Sequence, residues 1–282
     1  MSEEQPTILV LGATGKTGSR VVSDLRDRGL AVRTAARSGT DVAFDWRDRD
    51  TYAPALDAVT RVYLMPPVLR TDFAPDVSSF LDTAEAAGVE HVTFLSAYGM
   101  EHAPREVASR SVELDLIGRD RLTHTVLRPA WFMQNFSESF LRPVNGAVVV
   151  PTGAGAEAFI DVEDIAAVAA TTLADPAAHA GAEYGLTGPH ALTFAEAAAV
   201  IGEVTGRELI HQDTDRETWV AGVLATGVPV EYGDVLRRLT ETVASGDGSR
   251  PDGTVEKITG RPARTFREFA RTNAAAWSGS AE

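Results

Sequence analysis

The chain of 282 residues contains no cysteine, which excludes disulfides, thiolate metal ligands and a cysteine nucleophile. It also lacks a basic excess, since 40 Asp and Glu outnumber 26 Lys and Arg and leave a formal net charge of −14. A phosphate backbone demands a basic protein face, so this charge argues against a nucleic-acid partner. No apolar run is long enough to span a bilayer, and the polar N-terminus is unlike a signal peptide. We therefore expect a cytoplasmic protein without membrane attachment.

Two kinds of catalytic motif are missing as well. The six histidines show no spacing typical of metal ligands, so we predict no metal site. Asp161, Glu163 and Asp164 lie together, but carboxylates ahead of an alanine-rich helix are typical helix caps. No G-x-S-x-G sequence occurs, which argues against a hydrolase with a serine nucleophile elbow.

A glycine-rich turn lies close to the N-terminus. The apolar run Ile8–Leu11 predicts a buried strand of a parallel sheet, and Ser19–Arg26 carries apolar residues at helical spacing. Between them, Gly12 permits a tight turn, Gly15 the approach of a pyrophosphate and Gly18 close packing of helix on strand. The free N–H groups of the helix start suit phosphates, although a turn without a ligand is the alternative. The predicted dinucleotide-binding residues here are Gly12, Thr14, Gly15, Lys16, Thr17 and Gly18.

The second predicted strand, Ala31–Ala36, ends at Arg37 and Ser38. An acidic residue at this position would bind the ribose hydroxyls of NAD, whereas the planar fork of an arginine matches a 2′-phosphate. We therefore predict that Arg37 and Ser38 bind NADP(H). NAD(H) as cofactor and a merely solvated arginine are the alternatives.

Strands and helices alternate along the first half of the chain, which predicts an α/β fold with a doubly wound parallel sheet of the Rossmann type. Further strands are predicted at Val42–Trp46, Arg61–Met65, His91–Leu95 and Thr125–Leu127, with helices at Phe73–Ala87 and Val107–Ile117. Ligands collect beyond the carboxyl ends of parallel strands, so cofactor contacts are expected there. The residues at these ends are Asp45, Trp46, Met65, Pro66, Ser96 and Pro129. Asp45 is expected either to accept a hydrogen bond from the adenine amine or to cap the following helix.

The pattern changes near Leu141, where short strands are mixed with helices. We expect residues 1–140 to form the dinucleotide-binding core. Residues 141–282 are expected to form mostly a smaller, mixed α/β substrate-binding part, with some segments returning to the core. The elements predicted there are strands at Ala147–Val150 and Glu183–Thr187, and helices at Ile165–Leu173, Phe194–Thr205, Trp219–Leu224, Val235–Val243 and Phe266–Ala275.

Motifs of one protein family occur in order along the chain. The segments that carry them are Leu11–Gly18, Leu95–Gly99, Leu127–Phe136 and Phe159–Ile165. Finer features lie at Lys16–Thr17, Phe44–Trp46, Trp131–Phe136, Leu186–Pro189 and Thr259–Pro262. The first set resembles the NmrA-like branch of atypical short-chain dehydrogenases/reductases. The finer set is similar to a bacterial subgroup that resembles the festuclavine- and agroclavine-type iminium reductases of ergot alkaloid biosynthesis. The resemblance implies a Rossmann fold that binds NAD(P)H, but not one reaction, since the family includes reductases and redox-sensing regulators.

The usual proton donor of short-chain reductases is incomplete in this chain. Those enzymes pair a tyrosine acid with a lysine four residues later, whose charge lowers the tyrosine pKa. Tyr98 matches the tyrosine, but His102 stands at the lysine position and the next helix begins with Ala108–Ser111. An iminium ion needs hydride only, so its reduction can proceed without this pair. Tyr98 and His102 are the predicted catalytic residues, because either could protonate an enolate. Alternatively, Ser96 and Tyr98 only cap the following helix.

An aromatic stretch follows the sixth predicted strand. Aromatic rings can stack on a planar or cationic substrate, although packing of a helix on the sheet is the alternative. The predicted substrate contacts are Tyr98, Trp131, Phe132, Met133, Asn135 and Phe136. We therefore predict an NADPH-dependent reductase of an iminium, enone or quinone-like small molecule in secondary metabolism. The alternatives are a non-catalytic redox sensor that binds NAD(P) and a non-redox cyclase or dehydratase on the same scaffold. The sequence predicts no oligomeric state.

Overall fold

The computed structural model of the protein describes residues 7–277. Close contacts group the described chain into two compact units. The first contains residues 7–129 and 162–185, and the second contains residues 130–161 and 186–277. The chain thus leaves the first unit after Pro129, ahead of the change of pattern near Leu141, and one later segment returns to it.

The secondary structure follows the alternation expected from the sequence. The strands are β1 (Thr7–Leu11), β2 (Ala31–Ala36), β3 (Val42–Ala43), β4 (Val59–Leu64), β5 (His91–Leu95), β6 (Thr123–Pro129), β7 (Ala147–Val149), β8 (Ala156–Glu157), β9 (Ala182–Leu186), β10 (Leu192–Thr193) and β11 (Ile210–Gln212). The α-helices are α1 (Lys16–Asp27), α2 (Tyr52–Leu56), α3 (Ala74–Ala86), α4 (Ala108–Ile117), α5 (Asn135–Glu138), α6 (Val162–Ala174), α7 (Pro176–His179), α8 (Phe194–Thr205), α9 (Arg216–Ala225), α10 (Gly233–Ala244), α11 (Thr254–Thr259) and α12 (Phe266–Thr272).

A seven-stranded sheet forms the centre of the first unit, in the order β3-β2-β1-β4-β5-β6-β9. The pairs from β3 through β6 are parallel, so the predicted doubly wound Rossmann-type sheet is confirmed. The chain runs outward from β1 to β3 and then crosses back to β4. The order of strands therefore reverses beside β1, and a crevice at this point is where such sheets bind ligands.

The sheet is buried because helices cover both of its faces. Ile8–Leu11 in β1 is 0% exposed, as expected for a central parallel strand. On one face, Leu9 and Val62 pack in a core with Phe80 of α3 and Leu116 of α4. Helices α1 and α6 contact each other and the strands β1, β4 and β5.

Most predicted strands lie within two residues of the observed bounds, but one is too long by three residues. The strand predicted at Val42–Trp46 is wrong beyond Ala43, because the chain turns at Asp45. The Asp48 N–H donates to the Asp45 carbonyl at 3.0 Å and closes this turn. The strand predicted at Glu183–Thr187 is β9, which lies beside β6 at the edge of the main sheet.

The second unit is built from helices and two small sheets. Strand β10 pairs with β8 antiparallel, and β11 pairs with β7 parallel. Its core is aromatic, and Phe136, Phe159, Phe194 and Phe269 are at most 1% exposed. Helix α8 has the predicted ends, whereas the last helix ends at Thr272 rather than Ala275. No helix within residues 7–277 has the length and apolar character needed to cross a membrane.

Candidate functional site

The turn after β1 has the close backbone contacts expected of its glycines. Gly12 has a φ of +67°, and the Gly15 N–H donates to the Gly12 carbonyl at 2.8 Å. A Cβ at Gly18 would lie 2.2 Å from the Gly12 oxygen, inside any allowed contact distance. Helix α1 can therefore approach the end of β1 only because residue 18 is glycine.

The start of α1 suits an anion. Its N-cap residue, Gly15, has no side chain, and the first turn of the helix contains no acidic residue. Thr14 is exposed, whereas Thr17 is 2% exposed and its hydroxyl faces the Met65 sulfur at 3.8 Å. The backbone N–H groups and the positive end of the helix dipole together favour a phosphate.

The loop after β2 presents Arg37 and Ser38 at an exposed tip. The Asp41 carboxylate accepts hydrogen bonds from the Thr34 N–H at 2.9 Å and from the Thr34 hydroxyl at 2.8 Å. Nearer the tip, Thr40 Oγ1 accepts from the Ala36 N–H at 3.0 Å. The hydrogen bonds from Thr34 hold the pKa of Asp41 below its ordinary value.

The Arg37 side chain has no polar partner among the described residues. Within residues 7–277, its guanidinium makes no hydrogen bond and no ion pair. The loop that carries it is held by the hydrogen bonds of Asp41 and Thr40. A cavity of about 480 Å³ lies between this loop and α1. It is lined by Ala13, Thr14, Ser19, Val22, Arg26, Thr34, Gly39, Thr40 and Asp41. An ordered loop with an unpaired arginine at its tip can bind an anionic group at little entropic cost.

The ends of β3 and β4 are occupied by side chains that hold the chain in place. The Asp45 carboxylate accepts from the Arg47 N–H at 2.9 Å, so it stabilises its own turn and does not cap the next helix. Trp46 packs edge-on against Phe44, with ring centroids 4.9 Å apart. The half-buried Met65 lies over Gly12, where an added Cβ would be 3.2 Å from the Met65 Cγ. Beside it, Pro66 is also half-buried.

Buried charges lie at the ends of β5 and β6. Glu113 of α4 is 0% exposed and accepts from the Ser96 hydroxyl at 2.6 Å and from Arg110 Nη1 at 2.7 Å. Arg128 of β6 donates Nε and Nη2 to the two Glu113 oxygens, each at 2.9 Å. Arg128 also hydrogen-bonds to Glu183 of β9.

This cluster remains ionised despite its burial. Burial alone would raise the pKa of Glu113, but hydrogen bonds from Arg128, Ser96 and Arg110 outweigh it and hold the pKa below its ordinary value. Burial likewise acts to lower the pKa of Arg128, yet the contacts with Glu113 and Glu183 raise it. The bidentate pair thus fixes Arg128 of β6 against α4, and the Ser96 hydroxyl joins the end of β5 to the same carboxylate.

Of the two predicted catalytic side chains, Tyr98 is 41% exposed and follows the end of β5. Its N–H donates to the Pro129 carbonyl at 3.0 Å, which joins the ends of β5 and β6. His102 ends a 3-10 turn at Met100–His102, and its side chain is 85% exposed. Its nearest charged partner is Glu101, at 3.9 Å.

The predicted substrate contacts after Pro129 divide into two groups within the second unit. Trp131, Phe132 and Asn135 are half-buried. Met133 is 1% exposed and Phe136 is 0% exposed, and both belong to the aromatic core. The burial of Met133 and Phe136 is what the packing alternative expects, since both side chains are enclosed by the core.

One buried carboxylate holds Trp131 from the backbone side. Glu157 is 2% exposed, and its oxygens accept from the Ser249 N–H at 3.1 Å, from the Ser249 hydroxyl and from the Trp131 N–H at 3.5 Å. Burial raises the pKa of Glu157, and the Ser249 hydrogen bonds oppose this rise. Across residues 7–277, no three His, Asp or Glu side chains form a group that could hold a metal ion.

Sequence reasoning missed the Glu113–Arg128 pair. A signal for it was present, because Glu113 lies beside Val112 and Leu116 on the buried side of α4. A charge on the buried side of a helix requires a partner, and Arg128 is the residue that ends the apolar part of β6.

A family model described as NAD(P)H-binding matches residues 12–176, which is more than half of the chain. The chain belongs to this NAD(P)H-binding family. The uncharacterized oxidoreductase YesF of Bacillus subtilis is 36% identical to it, over 98% of both chains. Festuclavine synthase II of Penicillium roqueforti is 30% identical, over 96% of this chain and 100% of its own.

A solved structure shares the fold of this NAD(P)H-binding protein. The NADPH-dependent quinone oxidoreductase QOR2 of Escherichia coli, complexed with NADPH, matches 93% of this chain and 98% of its own, with a TM-score of 0.79 and 24% identity. The predicted NAD(P)H-binding family and the resemblance to festuclavine- and agroclavine-type enzymes are confirmed. The structure of an NmrA variant shares the fold, with a TM-score of 0.77 and 16% identity. The assignment to the NAD(P)H-dependent oxidoreductases is confirmed at the level of the family.

Proposed function

We propose that this protein is an NADPH-dependent reductase that transfers hydride to an iminium, enone or quinone-like small molecule of secondary metabolism. Arg37, which makes no hydrogen bond or ion pair within residues 7–277, lies at the tip of an ordered loop and supports the preference for NADPH over NADH. Its planar guanidinium matches the 2′-phosphate that distinguishes the two cofactors. The cytoplasmic location stays a prediction from the sequence.

The residues of the first unit fit a dinucleotide in three respects. The glycine turn brings backbone close to the pyrophosphate position, and Gly18 keeps the helix start against β1. The first turn of α1 has no acidic side chain to repel phosphate. Arg37 and Ser38 lie at the end of β2, where the ribose of the adenosine half would lie.

When bound, NADPH supplies the hydride, and the protein supplies orientation and charge. Tyr98, exposed at the end of β5, is the candidate proton donor for substrates that leave an anion, with His102 as the second candidate. Neither is followed by a lysine four residues later, because Lys16 and Lys257 are the lysines of the chain. An iminium ion or a quinone fits this arrangement better than a simple ketone, whose alkoxide needs an activated acid.

The names of related proteins agree with this class of substrate. Festuclavine synthase II is a relative over the whole chain, and the quinone oxidoreductase QOR2 shares the fold. Half-buried Trp131, Phe132 and Asn135 are the proposed substrate contacts in the second unit, since their faces are partly open. Met133 and Phe136 are omitted from the proposal because they are core residues.

The cofactor assignment is tested by calorimetric titration of the wild type and Arg37→Ala with NADPH and NADH. Loss of charge-assisted hydrogen bonds should weaken NADPH binding by about 1–3 kcal/mol and leave NADH nearly unchanged. Arg105→Ala is the matched control, since Arg105 is exposed in a different loop of the same unit. Equal losses for both cofactors in Arg37→Ala would contradict the 2′-phosphate assignment.

The reaction is tested by following NADPH oxidation with panels of iminium, enone and quinone compounds. Turnover of at least one panel is expected. Tight NADPH binding without turnover of any panel would instead favour the redox-sensor alternative.

A further inference from the structure

The hydroxyl group of Ser96 points in a direction fixed by its partner. Ser96 Oγ lies 2.6 Å from Glu113 Oε1, and the other three contacts of this carboxylate come from N–H groups of Arg110 and Arg128 at 2.7–2.9 Å. Four donors occupy the roughly four lone-pair directions of a carboxylate. The four hydrogen bonds therefore use every lone-pair direction of Glu113, and the carboxylate acts only as a hydrogen-bond acceptor.

This saturation decides what Ser96 can offer to a ligand. An ionised carboxylate has no proton to give, so the single hydroxyl proton of Ser96 must lie towards Glu113. Ser96 is half-buried, and within residues 7–277 its hydroxyl has no second hydrogen bond. Its two lone pairs remain available to a ligand, and its proton does not.

The topology places this oxygen near one end of the proposed cofactor. Arg37 lies at the end of β2 and the glycine turn at the end of β1, so the second half of a dinucleotide extends towards β4 and β5. Two strand spacings separate β1 from β5, which is about 10 Å. A nicotinamide nucleoside attached to a phosphate at β1 reaches that distance.

We infer that Ser96 accepts a hydrogen bond from the carboxamide N–H of the bound nicotinamide, and that Glu113 and Arg128 are the positioning residues that impose this direction. The inference rests on the proposed function for the presence of the cofactor. It adds a restriction on the reaction, because Ser96 cannot donate to the carbonyl oxygen of a substrate. A substrate whose reduction leaves no alkoxide at this position is consistent with that restriction.

The test compares NADP+ with its 3-acetylpyridine analogue, in which a methyl group replaces the carboxamide NH2 and the carbonyl is kept. Calorimetry on the wild type should show NADP+ bound about threefold to tenfold more tightly, the range expected for one hydrogen bond. Ser96→Ala should bring the ratio of the two affinities to about one. This variant should fold, since Glu113 keeps its three N–H donors from Arg110 and Arg128.

Ser109→Ala is the matched control, because it makes the same substitution on the helix that carries Glu113. It should keep the wild-type ratio. A ratio near one in the wild type, or a ratio unchanged in Ser96→Ala, would overturn the inference. Equal weakening of both compounds in Ser96→Ala would also overturn it, since a Ser96 that donates to the carbonyl contacts both. Failure of the wild type to bind either compound would instead contradict the proposed function.

Discussion

The buried His91 should make the stability of the protein depend on pH. Its side chain is 1% exposed at the start of β5. Nδ1 lies 2.9 Å from Thr123 Oγ1, and Nε2 lies 3.2 Å from Thr125 Oγ1 and 3.4 Å from Thr93 Oγ1. These hydroxyl groups satisfy a neutral ring but supply no negative charge to balance a protonated one.

Burial lowers the pKa of His91 from 6.5 to about 4, and the positive charges of His124, Arg61 and His179 act in the same direction. Since the folded state binds the proton more weakly, the unfolded state holds more protons below about pH 6.5. Stability is therefore lost as the pH falls from there towards 4. The difference between the unfolded and folded pKa of His91 corresponds to about 3 kcal/mol of unfolding free energy, of which about 2 kcal/mol is lost by about pH 5.

The assay is urea unfolding of the wild type and His91→Gln at about pH 7 and about pH 5. Glutamine retains hydrogen-bonding capacity but cannot be protonated in this range. We expect the variant to be less stable than the wild type at the higher pH. The difference between their free energies of unfolding should narrow by about 2 kcal/mol at the lower pH. Exposed His190, replaced by glutamine, controls for the loss of a histidine at the surface.

A comparison of differences isolates His91 from the carboxylates that also titrate in acid. Glu113 and Glu157 are present in both proteins, so their contributions cancel when the variant is subtracted from the wild type. If the free energies of unfolding of wild type and variant differed by the same amount at both pH values, burial would not disfavour the protonated ring, and the argument would be refuted.

Two further predictions concern the glycine turn and the candidate acid. Gly18→Ala should destabilise the protein by about 1–3 kcal/mol and weaken NADPH binding, because its Cβ would meet the Gly12 oxygen; urea unfolding and calorimetry measure both effects. Gly222→Ala is the control in α9, where the new Cβ would meet nothing within 4 Å beyond its chain neighbours and the adjacent backbone of the helix, and it should stabilise by about 0.5–1 kcal/mol. Tyr98→Phe should leave kcat for an iminium substrate nearly unchanged in steady-state assays; a loss of about 10²-fold or more would instead indicate general acid catalysis.

The local elements of the first unit could be predicted because each rests on neighbouring residues. The strand at His91–Leu95 has the predicted ends, since a short apolar run bounded by polar residues is enough to indicate it. The glycine turn was predicted for the same reason, as the spacing of Gly12 and Gly18 falls within one strand-turn-helix unit.

The strand prediction that failed involves competition between local signals. Val42–Trp46 looks like one strand, yet the Asp45 carboxylate can bind the backbone two residues ahead and does so. Side chains of this kind offer the backbone an alternative to a sheet, and hydropathy does not report which option is taken. The two interpretations of the stretch that contains Met133 and Phe136 share one signal, because the spacing of large apolar residues is the same for a core and for a ligand pocket.

The Rossmann-type sheet, the glycine turn after β1 and the place of Arg37 at the end of β2 follow from the amino-acid sequence, because they depend on periodicity and on residues a few positions apart. The packed fold was needed to show that Arg37 has no partner within residues 7–277 and that the Ser96 hydroxyl donates to Glu113. Glu113 and Arg128 are 15 positions apart, and Arg128 and Glu183 are 55 apart. Such contacts form only when separate strands and helices pack together, since burial is what makes a charge require its partner.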